Sequence, residues 1–223
     1  MKAMILAAGR GARMGSLSNK IPKPLLRIKD KALIEIQLNK LIEAGFDDFL
    51  INVSYLYEQI IDFVTTKYEN KVSITFSIET EPLETAGGII NALDFFDDNP
   101  FLVTNSDIFT DFKYEEIIKY QLKDGIIAHL IFVPNPIFKD QGDFGLAGEL
   151  VNLNRDLTFS GIGIYTKQMF TEYTKGEKIQ LKTIFENNIK KNRISGSLFQ
   201  GYWSDIGTPE RLKYENTKYE HFY

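Results

Sequence analysis

The chain has no cysteine, only two histidines and a single tryptophan among its 223 residues. Without thiols it can form no disulfide, hold no zinc through sulfur and use no thiolate nucleophile. Two histidines cannot make a histidine-rich metal site, so a bound metal would rest on oxygen ligands, which magnesium and manganese prefer. Charge of one sign is also scarce: 26 Lys and Arg against 30 Asp and Glu leave −4, with no general pull toward nucleic acid. The apolar stretch behind Met1-Lys2 imitates a secretory leader, but it is too short for one and Arg10 and Arg13 follow at once. It reads as the first buried strand of a cytoplasmic protein with neither nucleic acid nor membrane as partner. At 43% hydrophobic and 25% charged residues, the chain can bury one substantial core and is short for two. A single domain over 1–223 is expected, as a monomer or small homo-oligomer. No repeat, low-complexity tract or long linker divides it.

What is present concentrates near the N-terminus. Ala3-Met4-Ile5-Leu6-Ala7-Ala8 runs into Gly9-Arg10-Gly11-Ala12-Arg13-Met14, and Pro22-Lys23-Pro24-Leu25 follows. This is a strand entering a cationic, glycine-bearing loop. Glycines allow sharp turns and bring N–H groups against anionic oxygens, while Arg10, Arg13 and Lys23 add positive charge, a combination suited to a nucleoside triphosphate. Gly9 and Gly11 alone would serve equally well as a plain turn. The dinucleotide fingerprint is not met, because Met14 occupies its third glycine position, and no Gly-Lys-Ser/Thr closes the loop as a P-loop requires.

Strand-like runs recur at 2–7, 49–53, 73–78, 101–104 and 128–133, separated by segments of helical periodicity at 33–44, 57–66, 86–93, 114–122 and 181–190. Further strands are expected at 148–153, 158–165 and 194–199, and residues 214–223 as a helix end or a packing strap. The alternation predicts an α/β fold with a mostly parallel sheet flanked by helices. In such sheets ligands gather beyond the carboxyl ends of the strands, where Gly9, Asp107 and the 81–88 loop would meet. Asp107 ends the run Phe101-Leu102-Val103-Thr104-Asn105-Ser106, and Asp205 follows Tyr202-Trp203-Ser204. Two such carboxylates can hold magnesium whose shell the nucleotide phosphates complete; each is also a residue type that caps turns.

The glycine loop with Pro22-Lys23-Pro24-Leu25 resembles the signature of the sugar-1-phosphate nucleotidyltransferases. The resemblance continues through Glu81-Pro82-Leu83-Glu84-Thr85-Ala86-Gly87-Gly88, Asn105-Ser106-Asp107, Gly142-Asp143-Phe144 and Trp203-Ser204-Asp205-Ile206-Gly207-Thr208, nearly the whole chain. Its wording is most similar to the N-acetylmuramate α-1-phosphate uridylyltransferases of cell-wall recycling, with mannose-1-phosphate guanylyltransferases second. Ser106 departs from the pattern, standing where the family usually has glycine.

The resemblance implies a Rossmann-like, GT-A-like domain with a nucleotide-binding part over about 1–125 and an acceptor part over about 126–223. It implies transfer of a nucleoside monophosphate, from UTP by preference, to a sugar 1-phosphate with release of pyrophosphate. Arg13 and Lys23 would be catalytic, and Asp107 and Asp205 would hold Mg2+ or Mn2+. Ala7, Ala8, Gly9, Gly11, Ala12, Glu81, Gly87 and Gly88 would join Arg13 and Lys23 around the nucleotide, with Glu81 accepting from a base N–H and the glycine pair admitting a flat ring. Asn105, Asp143, Glu149, Ser160 and Gly161 would hold the sugar phosphate.

Overall fold

Ala3-Met4-Ile5 is wholly buried because it lies in the middle of a sheet covered on both faces. The computed structural model describes residues 1–81 and 83–218. In chain order the elements begin with strand β1 (Ala3–Leu6), a short hairpin of β2 (Arg27–Ile28) and β3 (Lys31–Ala32), helix α1 (Leu33–Glu43), β4 (Asp48–Val53), α2 (Tyr57–Tyr68), β5 (Ser73–Ile78) and α3 (Glu84–Asn91). They continue through β6 (Phe101–Asn105), β7 (Ile108–Thr110), α4 (Glu115–Lys119), β8 (Ala128–Pro134), β9 (Phe144–Ala147), β10 (Leu150–Tyr165), α5 (Leu181–Ile189), β11 (Ile194–Leu198), β12 (Trp203–Asp205) and α6 (Pro209–Lys218).

The main sheet has the order β11-β8-β10-β6-β1-β4-β5, with β9 added to β10. Strands β6, β1, β4 and β5 are mutually parallel, and β10 runs antiparallel between β6 and β8. This is the expected α/β architecture. Alternation along each strand divides the side chains between two cores. Met4, Leu50 and Val103 pack with α3 and α5, whereas Ala3, Ile5, Phe49, Ile51 and Leu102 pack with the helices of the other face. Each such large side chain contributes about 1.5–3 kcal/mol by leaving water.

A third, smaller cluster lies off the sheet: Met14, Leu26, Ile28, Leu33, Ile36, Phe109 and Ile206. It gathers the cationic loop, the segment after Lys23 and the β7–β12 ribbon around one apolar knot. Met14, where a dinucleotide fold would need glycine, is 1% exposed at its centre.

Two expectations need revision. The strands expected at 148–153 and 158–165 are one bent strand, β10, whose register against β8 shifts between Phe159 and Ile162. Gly161 takes φ +80° at this bulge, a conformation that side chains beyond glycine resist. The helix expected over 114–122 is only α4, because Tyr120 turns extended and lays its ring 3.9 Å from the His129 ring. The C-terminal segment enters α6 up to Lys218, and residues 219–223 lie outside the described part. Among the described residues no helix is long and apolar enough to cross a membrane.

Candidate active site

The cationic loop leaves β1 at the carboxyl edge of the sheet. The Ala7 N–H donates to the Asn52 carbonyl (3.2 Å) and to its side-chain Oδ1 (2.9 Å), continuing the β1–β4 pairing one residue beyond the strands. Gly11 then turns with φ +66°, and a Cβ there would lie 3.0 Å from the Cβ of Lys23. The left-handed turn and this close approach both call for glycine. A 3₁₀ segment over Ala12–Ser18 follows, locked by the Ser18 hydroxyl, which lies 3.1 Å from the carbonyls of both Gly11 and Gly15.

The two acids come from a separate ribbon. Strands β7 and β12 pair antiparallel, Asp205 opposite Ile108, and the Ile206 N–H donates to the Asp107 carbonyl at 2.8 Å. Asp107 and Asp205 are therefore neighbours although 98 positions apart in the chain. The Lys23 ammonium pairs with Asp107 and the Arg211 guanidinium with Asp205. A Cβ on Gly207 would lie 3.1 Å from Asp205 Oδ2 and 3.5 Å from Arg13 Nη2, which places Arg13 beside the same acid. The donor set is two carboxylates with no third Asp, Glu, His or Cys joining them among the described residues. Two hard oxygen donors suit Mg2+ or Mn2+ with the remaining positions filled by phosphate or water.

Helix α1 braces this ribbon. Wholly buried Gln37 donates to the Ile108 carbonyl and accepts from the Tyr114 hydroxyl at 2.9 Å, which in turn meets Thr104 Oγ1 at 3.2 Å. Lys40 donates to the Thr110 carbonyl. Burial lowers the Lys40 pKa, opposed by Asp111, Glu43 and Glu115.

Three clefts open along this edge. The largest, about 420 Å3, is lined by Ala7, Ala8, Gly9, Arg13, Lys23, Asn105 and Asp107, together with Arg10, Asn52, Glu79, Glu84, Thr85 and Ser106. A second, of about 210 Å3, holds Asn105, Asp143 and Gly161. A third, of about 140 Å3, holds Asn105, Ser160 and Asp205. Asn105 borders all three. A Cβ on Gly161 would come within 2.6 Å of its Nδ2, so the bulge in β10 is what lets the Asn105 side chain lie there.

Four expected residues stand elsewhere. Glu81 is on the surface, paired with Lys178 at 3.1 Å. Glu149 sits in the β9–β10 turn, paired with Lys123, and lines none of the three clefts. Gly87 and Gly88 are buried in α3: a Cβ on Gly87 would strike the Glu177 carbonyl at 2.4 Å, and one on Gly88 would strike Glu79 Oε1 at 2.6 Å. Their smallness lets α3 pack this closely on its neighbours. Gly11 and Ala12 shape the loop without lining a cleft.

Sequence reasoning missed Glu79, which is 5% exposed and holds Asn52 Nδ2 at 2.7 Å and the Leu83 N–H at 3.2 Å. The signal was available, since Glu79 is the first residue past the run 73–78, as Ala7 is past β1. Asn52 and Arg211 were missed as well.

A mostly parallel α/β sheet with a glycine-bearing cationic loop and paired acids at its carboxyl edge suits a transferase that handles nucleotide phosphates. The family model for nucleotidyl transferases matches residues 2–148. The chain is 42% identical over 221 residues to the N-acetylmuramate alpha-1-phosphate uridylyltransferase of Neisseria meningitidis, covering 96% of each chain. It is 30% identical over 224 residues to the D-glycero-alpha-D-manno-heptose 1-phosphate guanylyltransferase of Campylobacter jejuni, covering 94% of this chain and 96% of that one. The structure of HddC from Yersinia pseudotuberculosis in complex with GMP-PN matches with a TM-score of 0.80 at 25% identity, over 98% of this chain and 99% of that one. The chain belongs to the nucleotidyl transferase family, as a sugar-1-phosphate nucleotidyltransferase.

Proposed function

We propose that the protein transfers a uridylyl group from UTP to N-acetylmuramate 1-phosphate, releasing pyrophosphate and forming UDP-N-acetylmuramate. The observation that carries the choice of substrates is the 42% identity, end to end, with the Neisseria enzyme. In the reaction an oxygen of the sugar phosphate attacks the α-phosphorus, and the bond from that phosphorus to the bridging oxygen of the leaving pyrophosphate breaks. The attacking oxygen is already ionised near neutral pH, so no side chain need remove a proton. The enzyme's work is to align two anions that repel each other and to stabilise charge on the equatorial and leaving oxygens.

Arg13 and Lys23, both lining the large cleft, would hold the leaving pyrophosphate and face the α-phosphate respectively. Asp107 and Asp205 are the residues that would hold a divalent ion, Mg2+ by preference; such an ion supplies charge neutralisation at the phosphates. The 420 Å3 cleft takes the nucleotide, with the base against Ala7, Ala8 and Gly9. Glu79 replaces Glu81 as acceptor for a base N–H, since each carboxylate oxygen keeps a free lone pair beside its existing bond. The two smaller clefts take the sugar phosphate, with Asn105 between donor and acceptor. In this reading the segment up to about residue 125 forms the nucleotide side, and the rest contributes most of the acceptor side.

A guanylyl donor is the second reading, favoured by the Campylobacter relative and by the HddC complex. Pyrophosphate release from four nucleoside triphosphates against N-acetylmuramate, mannose and heptose 1-phosphates decides. UTP with N-acetylmuramate 1-phosphate is expected to give the highest kcat/KM. Preference for GTP, or for mannose or heptose 1-phosphate, sinks the substrate assignment while leaving the transfer chemistry standing.

A further inference from the structure

The 210 Å3 cleft combines aromatic walls with one cation. Its walls include the aromatic rings of Phe144, Phe159, Tyr165 and Phe185, with Leu181 beside them, and its single cation among the described lining residues is Lys182 in the first turn of α5. An ammonium group next to apolar aromatic walls matches an acceptor that carries both an anionic and an apolar substituent. The substituent that distinguishes N-acetylmuramate from N-acetylglucosamine is a lactyl ether, a methyl group and a carboxylate on one carbon. Its methyl calls for apolar contact and its carboxylate for a positive charge.

The charges around the cleft leave Lys182 free for that purpose. Asp143, the carboxylate of this cleft, is neutralised by Lys139 at 2.6 Å and accepts the Phe159 N–H at 3.0 Å. Arg155 is turned to the adjacent loop, donating to the Gly142 carbonyl at 3.0 Å and to Gln141 Oε1 at 2.6 Å. Lys182 has only a long contact with Glu186, 3.9 Å, and both side chains are about half exposed (55% and 40%). A pair of this kind is weak, and a partly desolvated carboxylate in the cleft would displace it.

We propose that Lys182 is a specificity-determining residue that binds the carboxylate of the acceptor's lactyl group, with the phenyl walls receiving its methyl. This rests on the acceptor assignment above. The test is steady-state pyrophosphate release by full-length wild type, K182Q and K182R, with N-acetylmuramate 1-phosphate and with N-acetylglucosamine 1-phosphate as its lactyl-free counterpart. K182Q is expected to raise KM for the muramate substrate by about 10- to 100-fold, the range of a lost charge-assisted hydrogen bond, with kcat nearly unchanged. K182R is expected to keep most of the affinity, and kcat/KM for the lactyl-free sugar to change little in either variant. Equal losses on both sugars, or no loss on either, overturn the role of Lys182 even if wild type prefers the muramate substrate. A wild type that prefers the lactyl-free sugar overturns the acceptor assignment, and this inference with it. Thermal melting of K182Q within a few degrees of wild type separates lost recognition from lost folding.

Discussion

Asp107 stands just before β7 at the edge of the 420 Å3 cleft and Asp205 ends β12 at the edge of the 140 Å3 cleft, and each already carries a cationic partner. Replacing either carboxylate by its amide keeps the size and hydrogen-bonding outline but removes the charge. Asp107→Asn and Asp205→Asn are each expected to lower the rate more than about a hundredfold, the usual scale for one electrostatic contact in a transfer site, with unchanged circular dichroism. Near-normal turnover in both would remove the metal assignment. Gly161 makes a different case, since its importance lies in what it lacks. Gly161→Ala would set a methyl group against Asn105 Nδ2 and, at 2.9 Å, against Ile108 Cδ1, in a conformation with φ +80°. The expected result is a loss of at least about 1 kcal/mol of stability and a rise in KM for both substrates, because Asn105 borders all three clefts. Unchanged KM values would show that Asn105 is not shared between the two substrates.

At the scale of elements, the ribbon of β7 and β12 is too short to hold its place alone, with three residues in each strand. Its position depends on α1, through Gln37 on the Ile108 carbonyl and Lys40 on the Thr110 carbonyl. Gln37→Leu leaves a buried carbonyl without that donor, which costs about 1–3 kcal/mol. It should also let Asp107 wander: kcat falls and half-saturation by magnesium shifts several-fold higher. A variant that melts earlier but keeps its magnesium dependence would confine Gln37 to packing. The ribbon also explains much of what was illegible in the sequence. Strands covered on both faces, such as β1, β4 and β6, announce themselves as apolar runs, and α1 shows its buried stripe. Three-residue strands carry no periodicity, and β7 and β12 exist only because the fold brings them together. The stretch 154–157 likewise reads as a break between two strands, although it continues one strand through its bend. Glu79 lines the cleft while Glu81, two positions on, faces Lys178 at the surface, a distinction too fine for an apolar run to make. Lys182 gave no signal at all, because nothing in a helical pattern tells a surface lysine from one overlooking a cleft.

For the whole molecule, His129 is a buried titratable group that answers to mild acid. It lies in β8, between Ser195 Oγ at 2.9 Å and Ser197 Oγ at 3.2 Å, with the Tyr120 ring against it, and the charge of Glu149 acts on it. Burial pushes its pKa down to about 4, only partly opposed by Glu149. The unfolded chain therefore binds the proton more readily than the folded one. Stability from this source is complete above about pH 6.5 and is lost as the pH falls toward about 4. The loss should be on the order of 2–3 kcal/mol, read by urea unfolding across that interval, and His129→Gln should flatten the slope. A slope that persists in the variant would assign the acid sensitivity to other groups. His129 lines none of the three clefts, so turnover at limiting substrate should not follow the same curve while the protein stays folded.

The chain's one tryptophan, Trp203, donates its indole N–H across to the Ser160 carbonyl at 2.9 Å, joining the strand of Asp205 to the bulge of β10. Its emission, excited at the red edge where tyrosine is silent, is a built-in optical gauge of that junction. Titrations with nucleotide and with sugar phosphate, each alone and then in either order, would show without any label whether one partner prepares the place of the other.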